Sequence, residues 1–228
     1  MFAAWEVGVW KALCGHVQPD LIVGASAGAW VGWAIAGGAT VEELTSDCLD
    51  PLTAEIMRPG LHRTGWLRPE GLHRKARELH KRYKPRIPFA MTLVELPTLR
   101  LRVVRDSEIT WQHLAAAGSI PLSFPPVQIG GKHYVDGGFR GALPLWAAEE
   151  LGATRVVAVN CLTGWPFRAL RFFTRPPVAS PKLAVTMIQP LRPLGSVRDA
   201  VFWNRTNIER WMAGGFEDGT RAVSSGKI

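Results

Sequence analysis

The chain has 228 residues, of which 47% are hydrophobic and 20% are charged. This length and composition exclude a disordered polypeptide and suit one globular domain, residues 1–228, with elaborations. The 27 Lys and Arg residues outnumber the 19 Asp and Glu residues, which gives a formal net charge of +8. Cys14, Cys48 and Cys161 are odd in number and form no CxxC pair, so neither a disulfide framework nor a zinc ribbon is expected.

Helical and strand patterns alternate along the chain. In chain order they predict helix 2–14, strand 21–23, helix 27–36, a helix beginning at Thr40, helix 68–84, strands 89–96 and 99–105, helix 110–117, strand 132–135, helix 143–151, strand 155–159 and helix 197–212. Strands that alternate with helices indicate an α/β fold, which we expect to be a three-layer α/β/α sandwich with a mostly parallel central sheet.

The uncharged run 21–41 is long enough to span a bilayer. Its glycines, however, divide it into a short strand and a glycine-rich helix, so we predict no transmembrane segment. The N-terminal sequence MFAAWEVGVWKAL contains Glu6 and lacks a basic leader, which argues against a secretory signal. We therefore expect a cytoplasmic protein that can associate peripherally with membranes.

The positive charge is concentrated in two segments. Residues 68–86 contain eight Lys and Arg against two Glu, and residues 165–192 contain five basic residues and no acidic one. The second segment also carries five prolines and several aromatic residues, and we predict a loop-like excursion within the domain. Basic and aromatic residues together suit an anionic membrane surface. A solvated basic face is the alternative, and no nucleic-acid recognition motif accompanies the charge.

The sequence Gly24-Ala25-Ser26-Ala27-Gly28 follows the predicted strand 21–23 directly and precedes a predicted helix. A GxSxG sequence between a strand and a helix is typical of a nucleophile elbow, where small neighbours allow a sharp turn. The helix would direct its free N–H groups, that of Ala27 first, and its positive dipole end at Ser26. A tight strand-to-helix turn with a capping serine is the structural alternative.

A base for Ser26 is not evident among the histidines. In the usual α/β-hydrolase order the histidine comes last, yet no histidine follows His133. The sequence Asp136-Gly137-Gly138 instead places a carboxylate in a sharp turn at the end of a predicted strand. Such a sequence alone is often only a turn, and an aspartate base requires an apolar setting that raises its pKa.

Together these motifs resemble the patatin-like phospholipase family of serine lipid acyl hydrolases. The matching stretches are VGVWKAL, PDLIVGASAGAWVG and the run from Ser119 to Asn160. The resemblance implies Ser26 as nucleophile, Asp136 as the base that takes its proton, and GxSxG and DGG as the two signature motifs. It also implies the three-layer fold and cleavage of fatty-acyl esters of phospholipids or other lipids through an acyl-enzyme, without a metal or organic cofactor.

The resemblance is incomplete at the N-terminus. Members of the family carry a glycine-rich loop whose backbone amides form the oxyanion hole, and this sequence begins at about the point where that loop would end. We therefore expect a chain that is N-terminally truncated relative to the family, either because Met1 is an internal start or because the chain is naturally short. The Ala27 N–H is then the identifiable oxyanion donor.

Two other functions are compatible with the sequence. A non-catalytic protein that binds lipid surfaces would keep the fold and have lost the oxyanion loop. A hydrolase of small esters would use His133 or His113 as its base and would show a pH dependence near the histidine range.

Overall fold

The computed structural model of the chain describes residues 1–62, 65–163, 177–196, 198–199, 202–226 and 228. Its α-helices are α1 (Ala3–Leu13), α2 (Ala27–Ala36), α3 (Val41–Leu49), α4 (Pro69–Arg82), α5 (Trp111–Gly118), α6 (Gly138–Gly141), α7 (Leu145–Glu150) and α8 (Arg205–Ser224). Its strands are β1 (Ile22–Gly24), β2 (Pro59–His62), β3 (Gly65–Leu67), β4 (Phe89–Leu96), β5 (Arg100–Arg105), β6 (Val127–Ile129), β7 (Lys132–Asp136), β8 (Arg155–Val159) and β9 (Ala184–Ile188).

Strand β4 is the centre of a five-stranded sheet. It is buried along almost its whole length, as an apolar strand covered on both faces should be. One edge of β4 pairs with β5 over residues 90–95. The other edge pairs with β1 at residues 89–91 and with β7 at residues 93–96, and β6 pairs with β7. Strands β1 and β7 therefore lie end to end along the same edge of β4.

The predicted α/β class and its three-layer arrangement are confirmed. Helices α2 and α5 pack against β4, and α7 contacts both β1 and β8. The five-stranded sheet is not mostly parallel as expected, because β1 is parallel to β4 while the other three pairings of the sheet are antiparallel. Short connections join β4 to β5 and β6 to β7, and such connections impose antiparallel pairing. A second parallel pair, β8 with β9, forms a separate two-stranded sheet.

The uncharged run 21–41 folds as predicted into β1, a turn and α2. Helix α2 packs on β1 and β4 and buries Trp33 against Phe89. Helix α3 begins after Thr40 as predicted, with a capping box in which the Glu43 N–H donates to Thr40 Oγ1. Within the described part of the chain, no helix is both long and apolar enough to cross a membrane.

Helices α1 and α8 form a close-packed pair through glycines. A Cβ atom on Gly8 would lie 2.1 Å from the Met212 carbonyl oxygen, and one on Gly215 would lie 2.1 Å from the Trp5 carbonyl oxygen. At both positions the two backbones are in direct contact. Trp5 of α1 and Ile208 and Trp211 of α8 are buried in one apolar cluster.

The prediction for the last helix was wrong in its bounds. A helix over residues 197–212 was expected, whereas α8 covers Arg205–Ser224. It begins at residue 205 because the Asn204 side chain accepts a hydrogen bond from the Asn207 N–H and caps the helix. It continues beyond residue 212 because its glycines, which lower helix propensity, allow the contact with α1.

The basic segment 165–192 is described from residue 177 onward, and residues 165–176 lie outside the described residues. The prediction of a loop was wrong for Ala184–Ile188, which form β9 and pair with β8. Its sequence AVTMI is rich in β-branched residues, which favour a strand once a partner edge is available. The other basic segment, 68–86, contains the amphipathic helix α4 as predicted.

Candidate active site

Ser26 occupies a strained turn between β1 and α2. Its backbone angles are φ 54° and ψ −131°, a conformation that side-chain-bearing residues rarely adopt. The turn directs the strand straight into the N-terminal end of α2. This is the backbone geometry of a nucleophile elbow, which exposes the serine oxygen at the end of the strand.

The two glycines that flank Ser26 differ in their surroundings. A Cβ atom on Gly24 would lie 2.5 Å from the Gly28 carbonyl oxygen, so the tight turn requires glycine at position 24. A Cβ atom on Gly28 would lie 3.8 Å from Glu6 Oε2, an ordinary contact distance. The predicted need for a small residue therefore holds on steric grounds at Gly24, while Gly28 faces the Glu6 carboxyl.

Asp136 ends β7 and accepts hydrogen bonds at both carboxylate oxygens. The Ser26 hydroxyl donates to Oδ2 over 2.6 Å, and the Gly138 N–H donates to Oδ1 over 2.7 Å. A Cβ atom on Gly137 would lie 2.1 Å from the Thr92 carbonyl oxygen, so the chain turns directly against β4. The two glycines of the DGG sequence thus have separate functions: Gly137 permits the close approach, and Gly138 orients the carboxylate.

Burial changes the acidity of Asp136. The residue is 4% exposed, and loss of solvation raises the pKa of its carboxyl from 3.8 to about 6. The hydrogen bonds from Ser26 and Gly138 act in the opposite direction and limit the increase in pKa. A carboxylate with this pKa is a stronger base than an exposed aspartate and is still ionised at neutral pH.

Ser119 fixes the backbone at Asp136. The Asp136 N–H donates to the Ser119 carbonyl oxygen over 3.1 Å, and the buried Ser119 hydroxyl donates to the Pro125 carbonyl oxygen over 2.6 Å. From the sequence, Ser119 was only the first residue of the run that resembles the family, and no function was predicted for it. No local pattern marks it, because its contacts come from residues brought together by the sheet.

The N-terminus of α2 supplies hydrogen-bond donors beside Ser26. The first N–H groups of a helix have no acceptor within the helix. Among the described residues, no backbone acceptor is paired with the N–H of Ala27 or of Gly28, whereas the Ala29 N–H donates to the Ser26 carbonyl oxygen. The helix dipole favours negative charge at the same point.

The histidines considered as bases have other positions. His113 Nδ1 accepts a hydrogen bond from the Thr110 N–H and caps α5. His133 is exposed on β7, opposite Gln128 of β6. The hydroxyl of Ser26 donates to Asp136 instead. Among the described residues, no three His, Cys, Asp or Glu side chains come together as metal ligands would.

A cavity of about 760 Å³ opens beside the elbow. Strands β1 and β8 line it, together with parts of α1, α2 and α7, and most of its wall is apolar. Glu6 lies in this wall and accepts a hydrogen bond from the Cys161 thiol over 3.2 Å. Burial raises the pKa of the Glu6 carboxyl from 4.5 to about 7. From the sequence, Glu6 was considered only as evidence against a leader, although an acidic residue in an otherwise apolar stretch could have indicated this position.

Comparison with known families identifies the family of the chain. The sequence model of the patatin-like phospholipase family matches residues 1–149, well over half of the chain. The chain therefore belongs to the patatin-like phospholipase family, whose members are generally lipid acyl hydrolases. The matched region includes both Ser26 and Asp136.

Proposed function

Starting from this family membership, we propose that the chain is a serine acyl hydrolase that cleaves fatty-acyl ester bonds of phospholipids or other lipids. Ser26 is the nucleophile and Asp136 is its base. The observation that carries the proposal is the 2.6 Å hydrogen bond from the Ser26 hydroxyl to a buried carboxylate. A serine held in a strained turn with its hydroxyl aligned on a base has the geometry that nucleophilic catalysis requires.

In the first step Asp136 Oδ2 takes the proton of the Ser26 hydroxyl while Oγ attacks the carbonyl carbon of the ester. A tetrahedral intermediate forms, and its negative oxygen lies at the N-terminus of α2. The N–H groups of Ala27 and Gly28 are the donors that this position offers. Removal of a single oxyanion donor lowers turnover by roughly 10²–10³ in other hydrolases, so these groups contribute substantially.

The intermediate collapses when the bond between the carbonyl carbon and the alcohol oxygen breaks. Asp136 returns its proton to the departing alkoxide, which leaves as the alcohol or lysolipid. An acyl group remains attached to Ser26. Water then attacks this ester as Asp136 takes one of its protons, and collapse of the second intermediate releases the fatty acid and restores the Ser26 hydroxyl.

The elevated pKa of Asp136 suits both halves of this cycle. The ionised carboxylate accepts a proton from serine or water, and the protonated carboxyl is acidic enough to return it. The Gly138 N–H holds the second oxygen throughout, so Oδ2 faces Ser26 in each step. This arrangement needs no histidine.

Fatty-acid release from phospholipid vesicles and from triacylglycerol emulsions tests the proposal. We expect release by the wild-type chain and loss of release in Ser26→Ala and Asp136→Ala, with circular dichroism unchanged. Ser225→Ala, an exposed serine at the end of α8, is the matched control and should retain full activity. Equal release by Ser26→Ala would refute the proposed nucleophile. A folded wild-type chain that binds vesicles without releasing fatty acid would favour the lipid-surface binding protein instead.

A further inference from the structure

The turn formed by residues 120–123 displays a leucine in an unfavourable conformation. The Ser123 N–H donates to the Ile120 carbonyl oxygen and closes the turn over Pro121 and Leu122. Leu122 has φ 67°. In a turn with proline at its second position, a positive φ at the third position normally selects glycine. Leucine at this position carries backbone strain that glycine would not.

The Leu122 side chain is also 84% exposed to solvent. Leu122 therefore has a strained backbone and also places a large apolar group in water, and neither effect stabilises the isolated fold. Residues with strain of this kind cluster at functional sites.

Two other apolar side chains are exposed next to it. The Leu67 N–H donates to the Ser123 carbonyl oxygen over 2.9 Å, which ties β3 to the turn. Trp66, which precedes Leu67 in β3, is 43% exposed, and Ile120, which begins the turn, is 38% exposed. We call Trp66, Ile120 and Leu122 the Leu122 patch.

The Leu122 patch lies next to the catalytic dyad. Ile120 follows Ser119 directly, and the Ser119 carbonyl accepts the Asp136 N–H. Whatever the patch contacts is therefore held near the backbone of Asp136. A substrate surface is the natural occupant of such a position.

The charge around the patch identifies the kind of surface. Arg58 precedes β2, and Arg68 follows β3, the strand that carries Trp66. Both arginines are exposed, and the Arg68 N–H donates to the Arg58 carbonyl oxygen. An apolar tip, a tryptophan and adjacent cations match a lipid interface with anionic headgroups, where tryptophan favours the boundary and arginine attracts phosphate.

We propose that the Leu122 patch docks on the surface of anionic lipid aggregates and inserts Leu122 between the headgroups. This inference rests on the proposed function, since a lipid ester must reach Ser26 from such a surface. Docking would explain why the chain keeps a leucine where the turn favours glycine. The adjacent arginines add an electrostatic attraction that salt weakens.

Vesicle co-sedimentation tests the docking separately from catalysis when all variants carry Ser26→Ala. The vesicles are phosphatidylcholine with or without phosphatidylglycerol. We expect binding to the anionic vesicles, with a roughly tenfold or greater loss of affinity in Leu122→Asp, because an inserted leucine is lost. Leu122→Gly should lose binding similarly and yet be at least as stable as its parent, since glycine fits the positive φ. This combination excludes misfolding as the cause.

Phe216→Asp is the control. Phe216 is 42% exposed on α8, outside the Leu122 patch and outside both basic segments. Its variant should bind vesicles normally. Unchanged binding in Leu122→Asp, an equal loss in Phe216→Asp, or equal binding to vesicles without phosphatidylglycerol would overturn the inference. If the wild-type chain releases no fatty acid but its binding still depends on Leu122, the proposed function fails and the docking surface stands.

Discussion

Gly24 and Asp136 lie two register positions apart on one edge of β4, because Gly24 pairs with Met91 and Asp136 pairs with Leu93. Strand β1 reaches this point parallel to β4, and β7 reaches it antiparallel to β4. The elbow that follows β1 and the turn that follows β7 therefore meet beside Thr92. Backbone pairing to a single buried strand fixes the separation of the nucleophile and its base.

Replacement of the base should separate activity from stability. Asp136→Asn keeps the size of the side chain and removes the charge, so we expect hydrolysis to be lost. Because the folded-state pKa is raised to about 6 from 3.8, the wild-type chain loses stability as pH rises between these values. Asp136→Asn avoids this loss and should unfold with a free energy higher by on the order of 2 kcal/mol at pH 8.

Urea unfolding at pH 8 and pH 4 checks this prediction. The difference in the free energy of unfolding between Asp136→Asn and the wild-type chain should be smaller at pH 4, where the wild-type carboxyl is protonated. A variant that is less stable than wild type at pH 8, or that retains hydrolysis, would contradict the assignment of Asp136 as a buried base.

The same pKa sets the pH dependence of hydrolysis. Because the ionised form of Asp136 is the base, kcat/KM should rise with pH through about 6 and level off above it. The profile for a water-soluble ester gives this value. The rise in kcat/KM near pH 6 should persist in His113→Gln and in His133→Gln, and its disappearance in either variant would assign the base to histidine.

Much of the local structure was predictable from the sequence. Apolar patterns predicted β1, α2, β4 and β8 within a residue or two, because these elements are determined by short-range patterns. Strand β9 was missed, since a short apolar segment in a proline-rich stretch becomes a strand only when β8 offers its edge. The extent of α8 was missed because its glycines are compatible with a helix only against α1.

The candidate site was predictable from the sequence only in part. The two motifs predicted Ser26 and Asp136 through a family resemblance. The pairing of β1 and β7 with the same edge of β4 was not predicted, because it depends on pairings between distant residues. Ser119 and Thr92 carry no local signal, although both lie directly against the Asp136 turn. The Leu122 turn is visible only through its backbone angle and exposure.

Adjacent glycines in α8 provide a matched test of the α1–α8 contact. A Cβ atom on Gly215 would lie 2.1 Å from the Trp5 carbonyl oxygen, whereas one on Gly214 would meet nothing within 4 Å. Gly214→Ala should raise the free energy of unfolding by roughly 0.5–1 kcal/mol through helix propensity. Gly215→Ala should lower it by roughly 1–3 kcal/mol because the helices must separate. Thermal unfolding distinguishes the two, and equal effects would refute the close packing.

Glu6 provides a second test of buried charge. Burial raises its folded-state pKa from 4.5 to about 7, so the ionised form destabilises the fold and stability falls as pH rises between these values. Glu6→Gln keeps an acceptor for the Cys161 thiol and should raise the melting temperature at pH 8. Glu42→Gln, at an exposed position of α3, is the control and should leave it unchanged. A lower melting temperature in Glu6→Gln would show that the ionised carboxylate stabilises the cavity wall.

The most direct test of the proposed mechanism is the hydrolysis of p-nitrophenyl butyrate by the wild-type chain and by Ser26→Ala, with folding checked by circular dichroism. The Ser26–Asp136 mechanism predicts turnover by the wild-type chain and a loss of at least ~10³-fold in Ser26→Ala. Equal turnover by both, or no turnover from a folded wild-type chain, would contradict it.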